Sequence, residues 1–219
     1  MSFLTSNWFM IGLDFLMIVY TLWVASISNN NKFHYSIGTA LLAWLILLHT
    51  GLSTNSIFPE DISGIAFLMI IFAAVGLVGV ILLAIPAVRK IVLSLNQQQL
   101  LLMQGIRVFF GASFLTQASL GSMPLLFGIV DGWTHIAAGF FGLVAAFSMT
   151  ANLDAVKRAW FANVFGLADI LIVASTLSLL ILQDITPHGN MMYAVFLPAP
   201  LWLWFHLISI HKLRLINKQ

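Results

Sequence analysis

Four ionisable residues, Asp14, Arg107, Asp131 and Asp169, stand inside stretches so apolar that each reads as a membrane-spanning helix. A charge at mid-bilayer costs roughly 2.5 to 3.5 kcal/mol even on insertion scales, so such residues turn toward a bundle interior and are functional candidates by default. One permanent cation cannot neutralise three carboxylates. Arg107 stays protonated, and its planar fork holds one carboxylate bidentately, with Asp131 or Asp169 the natural partner. At least one aspartate is left over. A buried carboxylate without a counter-ion favours its protonated form, which is the property a proton-coupled carrier or relay uses; the alternative is solvation by water in a cavity.

His135 lies four residues after Asp131, so both side chains share one helical face, where an imidazole beside a carboxylate can pass protons or hold a polar ligand. Gln104 precedes Arg107 by about a turn and Gly111 follows it by one, with Gln117 further along the same strip. Gly166 and Thr176 fall near the Asp169 face, and Asn163 lies toward the other end of that stretch. The expected substrate- or ion-binding set is therefore Arg107, Asp131, His135, Asp169, Asp14 and Gln104. A purely structural ion-pair network is the competing reading, strongest for Asp14.

Six histidines raise the question of metal or haem. Three, His49, His135 and His206, fall inside apolar stretches, but at outer, middle and inner depths, which is a poor arrangement for one shared site. His206 and His211 are five apart rather than the three or four that stacks ligands on one helical face. With no matched ligand motif, neither metal nor haem is expected; His49, His135 and His206 would be the candidates. His34 and His188 fall in connections, and His211 reads as an interfacial cation beside Lys212.

These side chains need helices to carry them. Apolar runs of about 20 residues match a roughly 30 Å hydrocarbon layer, and seven such runs occur, near 8–28, 34–54, 62–86, 98–120, 124–149, 159–183 and 190–211. Short connections with turn signals separate them: Asn29 to Asn31, Pro59 to Asp61, Gln97 to Gln99, Gly121 to Pro124, Asn152 to Arg158, and Pro187 to Asn190. The fold class is thus an all-α integral membrane protein, residues 1–219 forming a single seven-helix transmembrane domain. Gly128 and Gly132 make a GxxxG, and Ala138, Gly142 and Ala146 repeat small residues at that spacing, so the fifth helix is expected at the centre of the packing. The same motif would serve a homo-oligomer. Pro198 and Pro200 predict a kink or unwound turn in the seventh helix, with Trp202, Trp204 and Phe205 just beyond. Trp8, Trp160 and Tyr193 fit an interfacial aromatic belt.

Lys32, Arg89, Lys90, Lys157, Arg158, Lys212, Arg214 and Lys218 all fall in the first, third and fifth connections or the C-terminal end, and the other connections carry no Lys or Arg. That bias predicts an outside N-terminus and a cytoplasmic C-terminus in a bacterial-type inner (plasma) membrane. The N-terminus lacks a basic segment or a cleavage pattern, so the first helix is expected to remain in place.

The composition, 61% hydrophobic and only 7% charged, excludes an ordinary soluble domain. A net charge of +2 spread over short connections gives no nucleic-acid surface. Cysteine is absent, which removes disulfides, thiolate metal sites and cysteine nucleophiles. No lysine stands at mid-membrane in the seventh run, so no retinal Schiff base is expected. Paired histidines of a zinc hydrolase, a GxxxxGK[ST] loop, a GxSxG elbow and an HExxH are all missing. The leading expectation is a small-solute or ion transporter with proton coupling, working in the lipid bilayer and not an enzyme. A membrane sensor, receptor or accessory subunit binding a small molecule or lipid is the alternative, and a haem- or metal-dependent membrane enzyme the third.

Overall fold

Backbone groups in long apolar runs find partners only within helices, and in the computed structural model every described element is helical. The structure describes residues 3–27, 33–59, 61–151, 154–182 and 191–216. The predicted connections at Asn29 to Lys32, Glu60, Asn152 and Pro187 to Asn190, together with Lys218, lie outside those residues. The helices are α1 (Phe3–Ser26), α2 (Phe33–Ser53), α3 (Gly64–Ala84), α4 (Pro86–Ser94), α5 (Gln97–Leu102), α6 (Arg107–Ser119), α7 (Leu125–Ala151), α8 (Ala155–Thr176), α9 (Met192–Phe196) and α10 (Pro198–Ile216). Among the described residues six stretches are long and apolar enough to cross a membrane: Asn7–Ser26, Tyr35–Ser53, Gly64–Ala84, Gln97–Ser119, Leu125–Ala151 and Ala155–Ile181.

The seventh predicted run is not one continuous helix. Leu197 leaves helical geometry at φ −122°, ψ −66°, and α10 starts afresh at Pro198. Proline fits the first turn of a helix because its missing N–H would be unpaired there anyway. The expected disturbance thus sits immediately before Pro198. Trp202 and Phe205 beyond it are buried, and Trp204 donates its ring N–H to Val75 O at 2.8 Å.

The third connection holds helix where a turn was expected. Pro86 opens α4, which carries Arg89 and Lys90. Gln97 to Gln99 form the first turn of α5, because Asn96 caps it: Asn96 Oδ1 accepts from the Gln99 backbone N–H at 2.8 Å, and Gln99 Oε1 accepts from the Asn96 N–H at 2.9 Å. This reciprocal capping box satisfies two backbone donors at once. Gln99 then donates to Val24 O at 2.8 Å, tying α5 to the end of α1.

α5 and α6 are joined by a tight 3₁₀ turn, Met103–Ile106, with all four residues buried. Of the six long stretches this one, and not α7, is the most interior: 67% of its most apolar window is buried, against 39% for α7. α7 keeps an outward face with Trp133, Phe140 and Phe147 exposed. Its small residues act as expected in another respect. A Cβ on Gly132 would come within 2.9 Å of Gly111 O, and one on Gly142 within 3.0 Å of Leu101 O, so the α5–α6 run and α7 meet backbone to backbone.

Polarity runs inside out relative to a water-soluble protein. Ile46, Leu47, Met69, Val80, Phe147 and Leu180 are exposed, whereas Asp14, Arg107, Asp131, Asp169 and His206 are buried. Tyr193, expected in an interfacial belt, is buried as well; Trp8 is exposed.

Candidate polar-core site

Arg107 begins α6 and is fully buried. Nη2 is in direct contact with Asp169 Oδ2 on α8. Nη1 donates to Gly166 O at 3.4 Å and to His206 Nε2 at 3.2 Å. The guanidinium carbon lies 5.2 Å from the centroid of the Trp202 ring, within cation–π range. Of the two aspartates open to it in the sequence, Asp169 is the partner.

On the side of Arg107 toward the start of α7, His135 stands between two carboxylates. Its Nδ1 lies 2.7 Å from Asp131 Oδ1 and 3.4 Å from Asp169 Oδ2. The ring nitrogen does not point along a hydrogen-bond direction at either oxygen, and among the described residues His135 Nδ1, Asp131 Oδ1 and Asp169 Oδ1 have no hydrogen-bond partner. These contacts are therefore electrostatic. Phe114 and Trp202 pack against the imidazole with ring centroids at 5.4 and 5.9 Å.

On the other side the polar groups are joined in sequence. An arginine only donates, so His206 Nε2 accepts from Arg107, which puts the ring proton on Nδ1. That nitrogen donates to Asn163 Oδ1 at 2.9 Å. Asn163 Nδ2 in turn donates to Ala159 O and to Ser209 Oγ, both at 2.7 Å, and the Gln97 amide also contacts Ser209 Oγ. Gly166 makes room for this arrangement: a Cβ there would run into the His206 ring and come within 3.2 Å of Arg107 Nη1.

The expected set thus divides. Arg107, Asp131, His135 and Asp169 converge. Gln104 borders them without joining, donating to Trp202 O at 3.4 Å and leaving Oε1 without a partner. Asp14 stands apart on α1, fully buried, with neither carboxylate oxygen hydrogen-bonded among the described residues; it lies within electrostatic reach of Tyr193, whose hydroxyl is 2.8 Å from His49 Nδ1. His49, His135 and His206 do not come together. Sequence reading missed His206 and Asn163 as members of the network. Their only signal in the sequence is polar character inside apolar runs.

Donor atoms of Asp131, His135 and Asp169 all lie within 4.8 Å of one another, close enough to enclose a cation. With Arg107 included, two carboxylates face one permanent positive charge. One further positive charge balances the set, whether a proton on His135 or a bound monovalent cation, whereas a divalent ion would leave an excess in a low-dielectric interior. A cavity of about 280 Å³ between α7 and α8 reaches Asp131, Thr134 and Asp169, and a smaller one of about 40 Å³ touches Asp131 and His135 from the α3 and α9 side.

No curated protein and no solved structure matches the chain. A family model does match it over residues 63–214, a span that holds Arg107, Asp131, His135, Asn163, Asp169 and His206 but not Asp14 or His49. By that match across more than half its length, the chain belongs to the family described as Domain of unknown function (DUF8737).

Proposed function

We propose that the protein is a proton-coupled carrier of a small solute or ion. It would cross a bacterial-type inner membrane seven times, with the N-terminus outside and the broken α9–α10 segment as the last pass. The sorting of basic residues to alternate connections supports this orientation. The observation that carries the reading is the charge count at His135: Asp131 and Asp169 flank it, and Arg107 answers only one of them. The site therefore has room for one exchangeable positive charge. His135 holds that charge as a proton in one state of the cycle, and the solute replaces or accompanies it in the other.

Access from two sides is what a carrier needs. The α7–α8 cavity supports one approach, to Asp131 and Asp169. The polar file through His206, Asn163, Ser209 and Gln97 supports the other, running to the start of α5, about 15 Å from Arg107 at 1.5 Å per helical residue. Arg107 stands between them and keeps the two approaches apart.

The test is a proteoliposome assay with an acidic interior, in which sodium, potassium and a panel of small organic cations and neutral solutes are added outside one at a time. At least one of them should collapse the pH gradient only when the protein is present, and Arg107→Gln and Asp169→Asn should each abolish the effect. Gradients that persist with every solute, or variants that behave like the parent, would reject the carrier.

A further inference from the structure

The cavity between α7 and α8 differs from an aqueous vestibule. Its rim is formed by Leu126, Val130, Ile172 and Leu180, all largely exposed on the outer surface of the bundle, so it opens sideways toward the surroundings of the helices. Asp131, Thr134 and Asp169 border its inner end, the two carboxylates lying just beneath an apolar lining. Asp131 Oδ1 and Asp169 Oδ1 are buried beneath that lining and have no hydrogen-bond partner among the described residues. An apolar doorway over a floor of two carboxylates selects by charge and by hydrophobic area together. A metal ion or hydrated alkali cation has no interaction with such walls, while an organic cation uses both.

Resting on the carrier reading, we infer that this groove admits a monovalent organic cation with an apolar body, arriving laterally from the bilayer, whose positive charge takes the place of a proton on His135. The volume of about 280 Å³ falls at the lower end of small-ligand sites, commonly about 300 to 1,000 Å³, which fits an ammonium head with one ring or a few alkyl groups. The charge balance fixes the exchange. With His135 protonated, Asp131 and Asp169 are matched by His135 and Arg107. When the cation enters, the His135 proton leaves to the aqueous phase, and the same two carboxylates are matched by the cation and Arg107.

The charged groups facing His135 are Asp131 on its own helix, Asp169 on α8, and Arg107 on α6 behind Asp169. From α10 it meets the Trp202 ring, and His206 beyond Arg107 is held as an acceptor. Proton release on cation entry therefore comes from the cluster of His135, Asp131 and Asp169, since Arg107 and His206 are fixed as donor and acceptor.

Benzyltrimethylammonium and its neutral isostere neopentylbenzene are titrated by calorimetry into the full-length protein in detergent micelles, with a pH indicator in weak buffer. The expected result is saturable binding of the cation and release of about one proton per cation while His135 is protonated. In that range affinity falls up to tenfold for each unit the pH is lowered, as one-proton linkage requires. The isostere binds at least tenfold more weakly. Ile172→Trp, which narrows the doorway without touching the ionised groups, weakens cation binding at least tenfold, and Asp131→Asn removes proton release. Equal binding of the isostere, binding without proton release, no binding, or indifference to Ile172→Trp would each overturn the inference. If sodium or potassium alone collapses the pH gradient in liposomes while benzyltrimethylammonium does not bind, the lateral groove falls and the carrier stands. Cation binding with proton release but no collapse by any solute leaves the cation site standing and removes the carrier.

Discussion

His206 is buried against Arg107 and His135 against that arginine's partner Asp169, yet the two histidines stand in opposite chemical situations. His206 accepts from Arg107 and donates to Asn163, and the bonds continue through Ser209 to Gln97, so each group has its role fixed by its neighbour. His135 sits between two carboxylates with no directed hydrogen bond, and two cavities reach its surroundings. A satisfied polar network rigidifies a core, and an unsatisfied one is costly unless something binds it. The contrast assigns fixed support, with a hydrogen-bonded path built into it, to the His206 side and exchange of charge to the His135 side.

The largest disturbance of this contrast should come from the group both sides share. Arg107→Gln leaves Asp169 buried opposite no cation, and should cost about 3 to 5 kcal/mol in reversible unfolding from mixed micelles. Arg107→Met combined with Asp169→Leu should recover most of that loss, since apolar replacement of a whole buried pair is often neutral. A double variant as unstable as the single one would mean the pair does not account for the cost.

Next in size is the supporting side. Gly166→Ala drives a methyl group into the His206 ring, and overpacking of this kind costs about 1 to 3 kcal/mol. The same unfolding measurement checks it; an unchanged midpoint would show that the ring moves aside freely and that the His206 side is not rigid.

A subtler separation is spectroscopic. Nitrogen-15 spectra of labelled histidines should show His206 neutral with its proton on Nδ1 throughout pH 5 to 8, because Arg107 occupies Nε2 as a donor. His135 should change protonation state on adding the bound cation. Both signals moving together, or neither, would erase the distinction between the two histidines.

The smallest effect is expected at the groove floor. Among the described residues Thr134 bonds only to Asp131 O one turn earlier on its own helix, at 3.1 Å, so Thr134→Ala should change stability by no more than about 0.5 kcal/mol. A larger loss would mean the floor is itself a packed structural element.

The helical class and six of the long spans could be read along the chain, because hydropathy and length are properties of contiguous residues. So could the pairing of Asp131 with His135, since a spacing of four fixes two side chains on one helical face whatever the rest of the chain does. The break before Pro198 follows from a single ring closure in the backbone. The capping box at Asn96 and Gln99 was legible in principle, but three consecutive glutamines read more readily as a turn.

Contacts between helices were settled by folding alone. Arg107 had two aspartates open to it, and the rotation of α8 against α6 gave it Asp169. His206 and Asn163 lie 43 residues apart and meet only because α8 and α10 pack side by side. Asp14 shares the acidic character of the other two, but α1 holds it apart from the converging set near Tyr193. Which groups are satisfied and which are left open depends on relative helix rotation and depth, and those are set by packing surfaces far apart in the chain rather than by any local run of residues.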